Sequence, residues 1–436
     1  MQRRRKPTEA VEQPEPQERQ TSSSQTKSET QREEETLLGS GVVIPIAIGV
    51  VLRVLCFVYA RPFLLKRPEL TSPLVSYRRL KDGIAMYRDG ISPYEGDLFH
   101  FQPMVLRLFS LISLDESAIF GAFMLFDCAA AVLLSISARR YAEESGSVQP
   151  GHIARTVFKC YFLNPVTIAS SAVLSISVLH NVITAAMVYF FCSGLILPCV
   201  AILSISVSFS IYPVIIVGSI LLRFPSIRDR LLTLGCLAVG ILSLVTANWL
   251  LNDMSWSFIE DTYEFILRVD DLTPNVGLVW YFFTQVFEHF RAFYLMVFQV
   301  NLLVYVVPLI LSLRKDAHLH LVISLLLVAV FSSYPTLNDA SVYMALLPML
   351  EKYKKYPRYT LMVAGSLVTC VVLMPVMWHM WIVVGSGNAN FYFAVTLIYN
   401  VAQIYLMIDL MFAYFRREAD EISASLVTDK TNFVLH

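Results

Sequence analysis

Trp378, His379 and Trp381 close one apolar run, the turn Gly385-Ser386-Gly387-Asn388-Ala389-Asn390 follows, and Phe391-Tyr392-Phe393 open the next run. Amides, an imidazole and indole rings around a helix start are groups that bind rather than cleave. Free N–H groups at a helix N-terminus, with amides beside them, can hold a phosphate or a sugar hydroxyl. The aromatic rings suit a membrane–water boundary. Asn388 or Asn390 serves equally well as an ordinary N-cap.

A second binding face lies in residues 270–301, DDLTPNVGLVWYFFTQVFEHFRAFYLMVFQVN. Thr273 as N-cap and Pro274 in the first turn predict a helix from that point. Asn275 and Trp280 stand at its start. Tyr281, Gln285, Glu288 and Gln299 then fall on one face, with His289 beside it. A carboxylate at membrane depth is costly, so Glu288 is expected to face protein, a cavity or headgroups. The plain reading of this thread is helix–helix adhesion. The functional reading is a wall for an amphipathic ligand with a polar head and an apolar tail.

Nothing else in the chain looks catalytic. The seven cysteines show no CxxC spacing and mostly lie in apolar runs, where they read as small buried hydrophobes. None has a base and an orienting group nearby in sequence, so no Cys nucleophile is expected. No His/Cys/Asp cluster has metal spacing, and no Gly-rich phosphate loop follows a strand. No metal or cofactor is expected. His180-Asn181 reads as a turn between apolar runs, and Asn338-Asp339 reads as the cap of a helix after Pro335.

These groups must be positioned by membrane helices. The 436 residues are 56% hydrophobic with a mean hydropathy of +0.58, above the roughly 45–50% of soluble domains. Long apolar runs without barrel alternation predict an all-α polytopic membrane protein with about ten to twelve spans. Basic and acidic residues balance, and no basic face points to nucleic acid. Residues 1–40 form a polar tail expected to be disordered. Residues 41–415 form the membrane domain, with a first luminal loop at 61–100, and 416–436 form a short cytosolic tail. Basic loops at 139–140, 223–230, 314–315 and 352–355 are expected in the cytosol. Pro165, Pro213, Pro308, Pro335 and Pro375 are expected to bend or break spans. No internal repeat supports a transporter built from two halves.

The first loop, SYRRLKDGIAMYRDGISPYEGDLFHFQPMVLRLF, resembles that of the membrane mannosyltransferases of glycosylphosphatidylinositol (GPI) synthesis, which share the GT-C fold. Tyr77-Arg78 and Ser92-Pro93-Tyr94 keep that family's frame. Its two acidic positions fall here on Leu74 and Ser76, which neither bind metal nor act as a base. Asp82, Asp89, Glu95 and Asp97 remain, at turn-like positions that suit solvated carboxylates. An active mannosyltransferase using Asp82 or Asp97 is the competing reading.

Three longer stretches are more specific: 271–290, 331–349 and 374–404. Together with 72–100 and AYFRREADEI they resemble the PIG-U family of GPI transamidase subunits, from about residue 41 to the C-terminus. The resemblance implies a GT-C-like scaffold without transferase activity, in the endoplasmic reticulum membrane. It implies work beside PIG-K, PIG-S, PIG-T and the GPI-anchor attachment protein, with the nucleophilic cysteine on PIG-K. The implied task is to recognise and place the GPI lipid for attachment to proprotein C-termini. The residues expected to border it are Asn388, Asn390, His379, Trp378, Trp381, Gln285, Glu288, Asn275 and Trp280.

Overall fold

The computed structural model describes residues 40–112 and 115–428. The tail expected over 1–40 therefore lies outside the described residues, except for Ser40, which opens the first helix. The described elements are helical. The principal ones are α1 (Ser40–Leu55), α2 (Tyr77–Arg88), α3 (Glu116–Glu144), α4 (Pro150–Phe162), α5 (Pro165–Ala172), α6 (Ser177–Cys192), α7 (Ile196–Phe209), α8 (Ile227–Leu251), α9 (Val279–Gln285), α10 (Glu288–Val304), α11 (Ala317–Phe331), α12 (Thr360–Trp378) and α13 (Ala389–Thr428). Among the described residues, six helical stretches are long and apolar enough to cross a membrane, and four shorter apolar helices accompany them. The chain is an all-α polytopic membrane protein.

Local chemistry sets many of the boundaries. Asp115 caps α3 by accepting from Ala118 N at 2.9 Å. Asn164 caps α5 with Pro165 at its first position, the pairing that spends no N–H. Asp316 caps α11 by accepting from His318 N and Leu319 N. α11 is buried on every side, which makes it a central helix of the bundle. α8, α10 and α12 instead expose large apolar side chains such as Leu242, Phe293 and Val368, the surface that lipid or a partner subunit must cover.

A fully buried ion pair ties the first helix to this bundle. Arg53 and Asp127 are both 0% exposed, with Arg53 Nη2 3.1 Å from Asp127 Oδ2. Arg53 Nη1 also donates to Phe162 O at 2.8 Å and Nη2 to Thr167 Oγ1 at 3.2 Å. Asp127 further accepts from Tyr161 Oη at 3.2 Å and from the Ser171 hydroxyl. α1, α3, α4 and α5 thus share one polar node. A Cβ on Gly49 would meet the Phe162 ring at 2.5 Å, so only glycine allows the approach.

The first loop crosses one end of the bundle and is pinned at intervals. Val75 O accepts from Ile176 N at 2.9 Å, and Glu69 O from Leu337 N at 2.9 Å. Arg67 Nη1 donates to Pro375 O at 2.9 Å. Arg79 bonds Asp271 Oδ2 at 2.9 Å.

Several expectations are corrected. Residues 270–301 are not one helix: 270–278 are irregular, α9 follows, and the chain breaks at 286–287 before α10. Thr273 is not a cap, because its N–H and hydroxyl both turn to Asp271 Oδ1. The break also takes Glu288 and Gln299 off the face of Tyr281. His180 and Asn181 lie inside α6, not in a turn. Thr336, with Asp339 at N3, forms the capping box at 336–339, while Asn338 donates to Ser177 Oγ at 2.8 Å. α13 continues past residue 415 to Thr428.

Removing one partner of a buried pair leaves an uncompensated charge, which costs about 3–5 kcal/mol. Asp127→Ala is therefore expected to lower the thermal transition of the purified protein sharply, and Arg53→Met combined with Asp127→Leu to recover most of the loss. The Arg79–Asp271 contact gives a pH dependence. Burial works to raise the Asp271 carboxyl, but hydrogen bonds from Thr273 and Arg79 outweigh it and hold it below the ordinary aspartate range. Its contribution is present above the unfolded value of about 3.9 and is lost as pH falls through the lower folded value. Limited proteolysis of 252–278 should accelerate over that acid window, and Asp271→Asn should remove the dependence.

Candidate functional site

α12 ends at Trp378 and passes through a π turn, His379–Val384, one turn after Pro375. Such turns recur at functional sites. Gly385 then takes φ +73°, a left-handed conformation that glycine adopts without strain. Ser386 N and Gly387 N both donate to Met380 O, at 3.0 and 3.1 Å, folding the turn back on the helix. Asn388 Oδ1 accepts from Asn390 N at 3.0 Å and Phe391 N at 3.4 Å. Asn388 is thus the N-cap of α13, the ordinary of its two expected roles, and its side chain is exposed.

The head of α9 packs against this turn. Tyr281 stacks on Phe393 at 4.1 Å between centroids and donates to Asn390 Oδ1 at 2.5 Å. Trp280 lies 6.3 Å from Tyr392, Trp378 5.3 Å and Trp381 6.3 Å. Asn275 is buried nearby and accepts from Gly277 N at 2.7 Å. A Cβ on Gly277 would meet Pro335 at 2.8 Å, so this irregular segment has no room for a larger residue there.

The structure therefore sets Trp280, Trp378 and Trp381 around Tyr392 and joins Asn390 to Tyr281, while Asn388 caps the same helix start and His379 is exposed on the adjoining π turn. It does not gather Gln285 and Glu288. Both are exposed, and Glu288 occupies the first turn of α10, where a carboxylate complements the positive helix end.

Two charged residues join the cluster from the first loop. Glu69 is 2% exposed and Arg67 5%. Tyr392, fully buried, lies beside the Glu69 carboxylate close enough for the two to interact. Burial dominates and raises the Glu69 carboxyl, against the lowering effects of its own backbone, Arg67 and Tyr392. Yet both Glu69 carboxylate oxygens, Tyr392 Oη, Trp280 Nε1, Asn275 Nδ2 and Arg67 Nε are buried without a well-formed hydrogen bond to protein. Unmet buried polar groups cost roughly 1–3 kcal/mol each, and such groups commonly bond to water or a ligand that protein atoms alone do not represent. Nothing in the string Arg67-Pro68-Glu69 distinguishes it from the loop's other charges, which is why sequence reasoning passed over it.

A separate hollow of about 110 Å³ lies between the first loop, α6, α7 and α11. Leu74 lines it together with Ser72, His180 and Asn181. Ser76, the other former acidic position, caps α2. Asp82, Asp89, Glu95 and Asp97 are exposed, but Asp82 lies within α2 and not at the turn expected for it.

A family model described as GPI transamidase subunit PIG-U matches residues 47–399. The chain is 31% identical over 390 residues to the GPI-anchor transamidase component PIGU of Cricetulus griseus, covering 82% of this chain and 89% of that one. It is 30% identical over 416 residues to the Homo sapiens component of the same name, covering 87% and 95%. It is 29% identical over 355 residues to the GPI transamidase component GAB1 of Saccharomyces cerevisiae, covering 81% and 88%. With a family model spanning most of its length and relatives aligned nearly end to end, this chain belongs to the PIG-U family of GPI transamidase subunits.

Proposed function

We propose that this chain is a non-catalytic subunit of the transamidase in the endoplasmic reticulum membrane, and that it recognises the GPI lipid and places it for attachment to proprotein C-termini. PIG-K, carrying the nucleophile, and PIG-S, PIG-T and the GPI-anchor attachment protein are its partners in that reading. The observation that carries it is the set of unmet buried polar groups on Glu69, Tyr392, Trp280 and Asn275 beside an aromatic wall. Sugar rings pack on aromatic faces, and Tyr281, Trp378 and Trp381 are the part-exposed ones here. A buried carboxylate takes hydroxyl or ammonium donors, and Arg67 suits a phosphate. Apolar tails extend along the exposed faces of α10 and α12. Holding the ethanolamine amine of GPI near an acyl intermediate on another subunit makes a bimolecular attack effectively unimolecular, so positioning alone is a catalytic contribution.

The test is rescue of cells lacking this protein, scoring surface GPI-anchored proteins and the lipids that accumulate. Glu69→Gln is expected to keep subunit co-purification but weaken GPI capture about tenfold, the worth of one charge-assisted hydrogen bond. Complete GPI lipid then accumulates beside uncleaved proproteins. Accumulation of a mannose-deficient precursor would overturn the reading and return attention to Asp82 and Asp97.

A further inference from the structure

At the opposite end of the bundle, an apolar groove of about 520 Å³ opens between α4, the 344–353 turns, α12 and α13. Ile153, Met344, Leu347, Val363, Leu367 and Leu406 line it. The volume falls in the roughly 300–1,000 Å³ range of ligand pockets. Its mouth merges with a polar hollow of about 590 Å³, because His152, Ile153, Glu351 and Lys354 line both. Lys352, Lys354, Lys355 and Arg417 face that hollow against a single carboxylate, Glu351. Lys354 Nζ bonds Glu351 Oε1 at 2.5 Å, Lys352 bonds Asp316 at 2.7 Å and Arg417 bonds Glu421 at 2.8 Å. Lys355 makes no ion pair among the described residues and is exposed.

The loops at this end are the basic ones that the charge rule places in the cytosol. The arrangement is thus a greasy slot within the membrane zone that ends on a cluster of four cations, three of them paired with Asp316, Glu351 and Glu421 and the fourth, Lys355, left free for an anionic group. Basic pockets between membrane helices suit anionic headgroups, and the slot beneath suits an acyl chain. We propose that this groove binds an anionic glycerophospholipid of the cytosolic leaflet, with its phosphate at Lys354 and Lys355 and an acyl chain between α12 and α13. The site is built from residues other than those of the GPI cradle, so it stands apart from the reading above. Its expected role is to hold α12 and α13, the helices whose far ends carry the aromatic wall, at a fixed spacing.

The experiment uses the full chain with its partner subunits in phosphatidylcholine nanodiscs. These carry a phosphatidylserine probe with a diazirine in the acyl chain, or the matching phosphatidylcholine probe. The phosphatidylserine probe is expected to label peptides 360–367 and 406–410. Lys354→Glu with Lys355→Glu should lower that labelling about tenfold, in line with the headgroup attraction of two cations. Lys355→Gln, which breaks no ion pair, should lower it partly. Ala364→Phe, which fills the slot, should lower labelling by either probe. Labelling by the phosphatidylcholine probe at the exposed face of α8 should be unchanged throughout and reports an intact fold. Equal groove labelling by the two probes, no response to either lysine variant, or capture of a partner subunit's helix by a crosslinker at position 364 would each overturn the proposal.

Discussion

Arg53 has no contact with water, and all of its hydrogen bonds are answered inside an apolar bundle. A lone guanidinium at membrane depth would be expelled or would drag water in. Here Asp127 neutralises it, a helix-end carbonyl and Thr167 take further N–H groups, and Phe162 covers its face at 4.2 Å. Asp127 in turn needs Tyr161 and Ser171. The demand for complete pairing fixes α1 against α3, α4 and α5 in one register. The first loop starts at the end of α1 and reaches Ile176, just past α5. The node therefore sets where Arg67, Glu69 and Val75 are laid across the bundle.

From there the constraint passes to the cradle. Arg67 reaches the Pro375 carbonyl just before the π turn, and Glu69 faces Tyr392 at the head of α13. α12 and α13 also pack along their length, so their turn cannot shift freely. Irregular backbone at 270–278 fits between them because Gly277 leaves space for Pro335. The π turn, the left-handed Gly385 and the broken 270–301 stretch all lie beside the same aromatic wall.

The sequence carried part of this. The apolar runs, the prolines that break them and the WHMWIVVGSGNANFYF string were legible, because hydropathy and turn chemistry act locally. Trp280, Trp378 and Trp381 each pack on Tyr392. The helical face through Gln285 and Glu288 was misread because periodicity counts residues and cannot see a break at 286–287. The Thr273-Pro274 cap signal lost to Asp271, whose carboxylate took the Thr273 donors. Arg53 sat in an apolar run with its partner 74 residues away, and Glu69 is charged in a charged loop. Long-range pairing gives such residues their meaning, and spacing along the chain does not encode it.

The most direct measurement places a photo-crosslinking amino acid at Trp381 or at Tyr281 in the assembled complex and asks which lipid each captures. The account predicts GPI adducts from both cradle positions and none from Leu242 on the exposed face of α8. Adducts of bulk phospholipid alone at Trp381 and Tyr281, or GPI captured equally at Leu242, would contradict it.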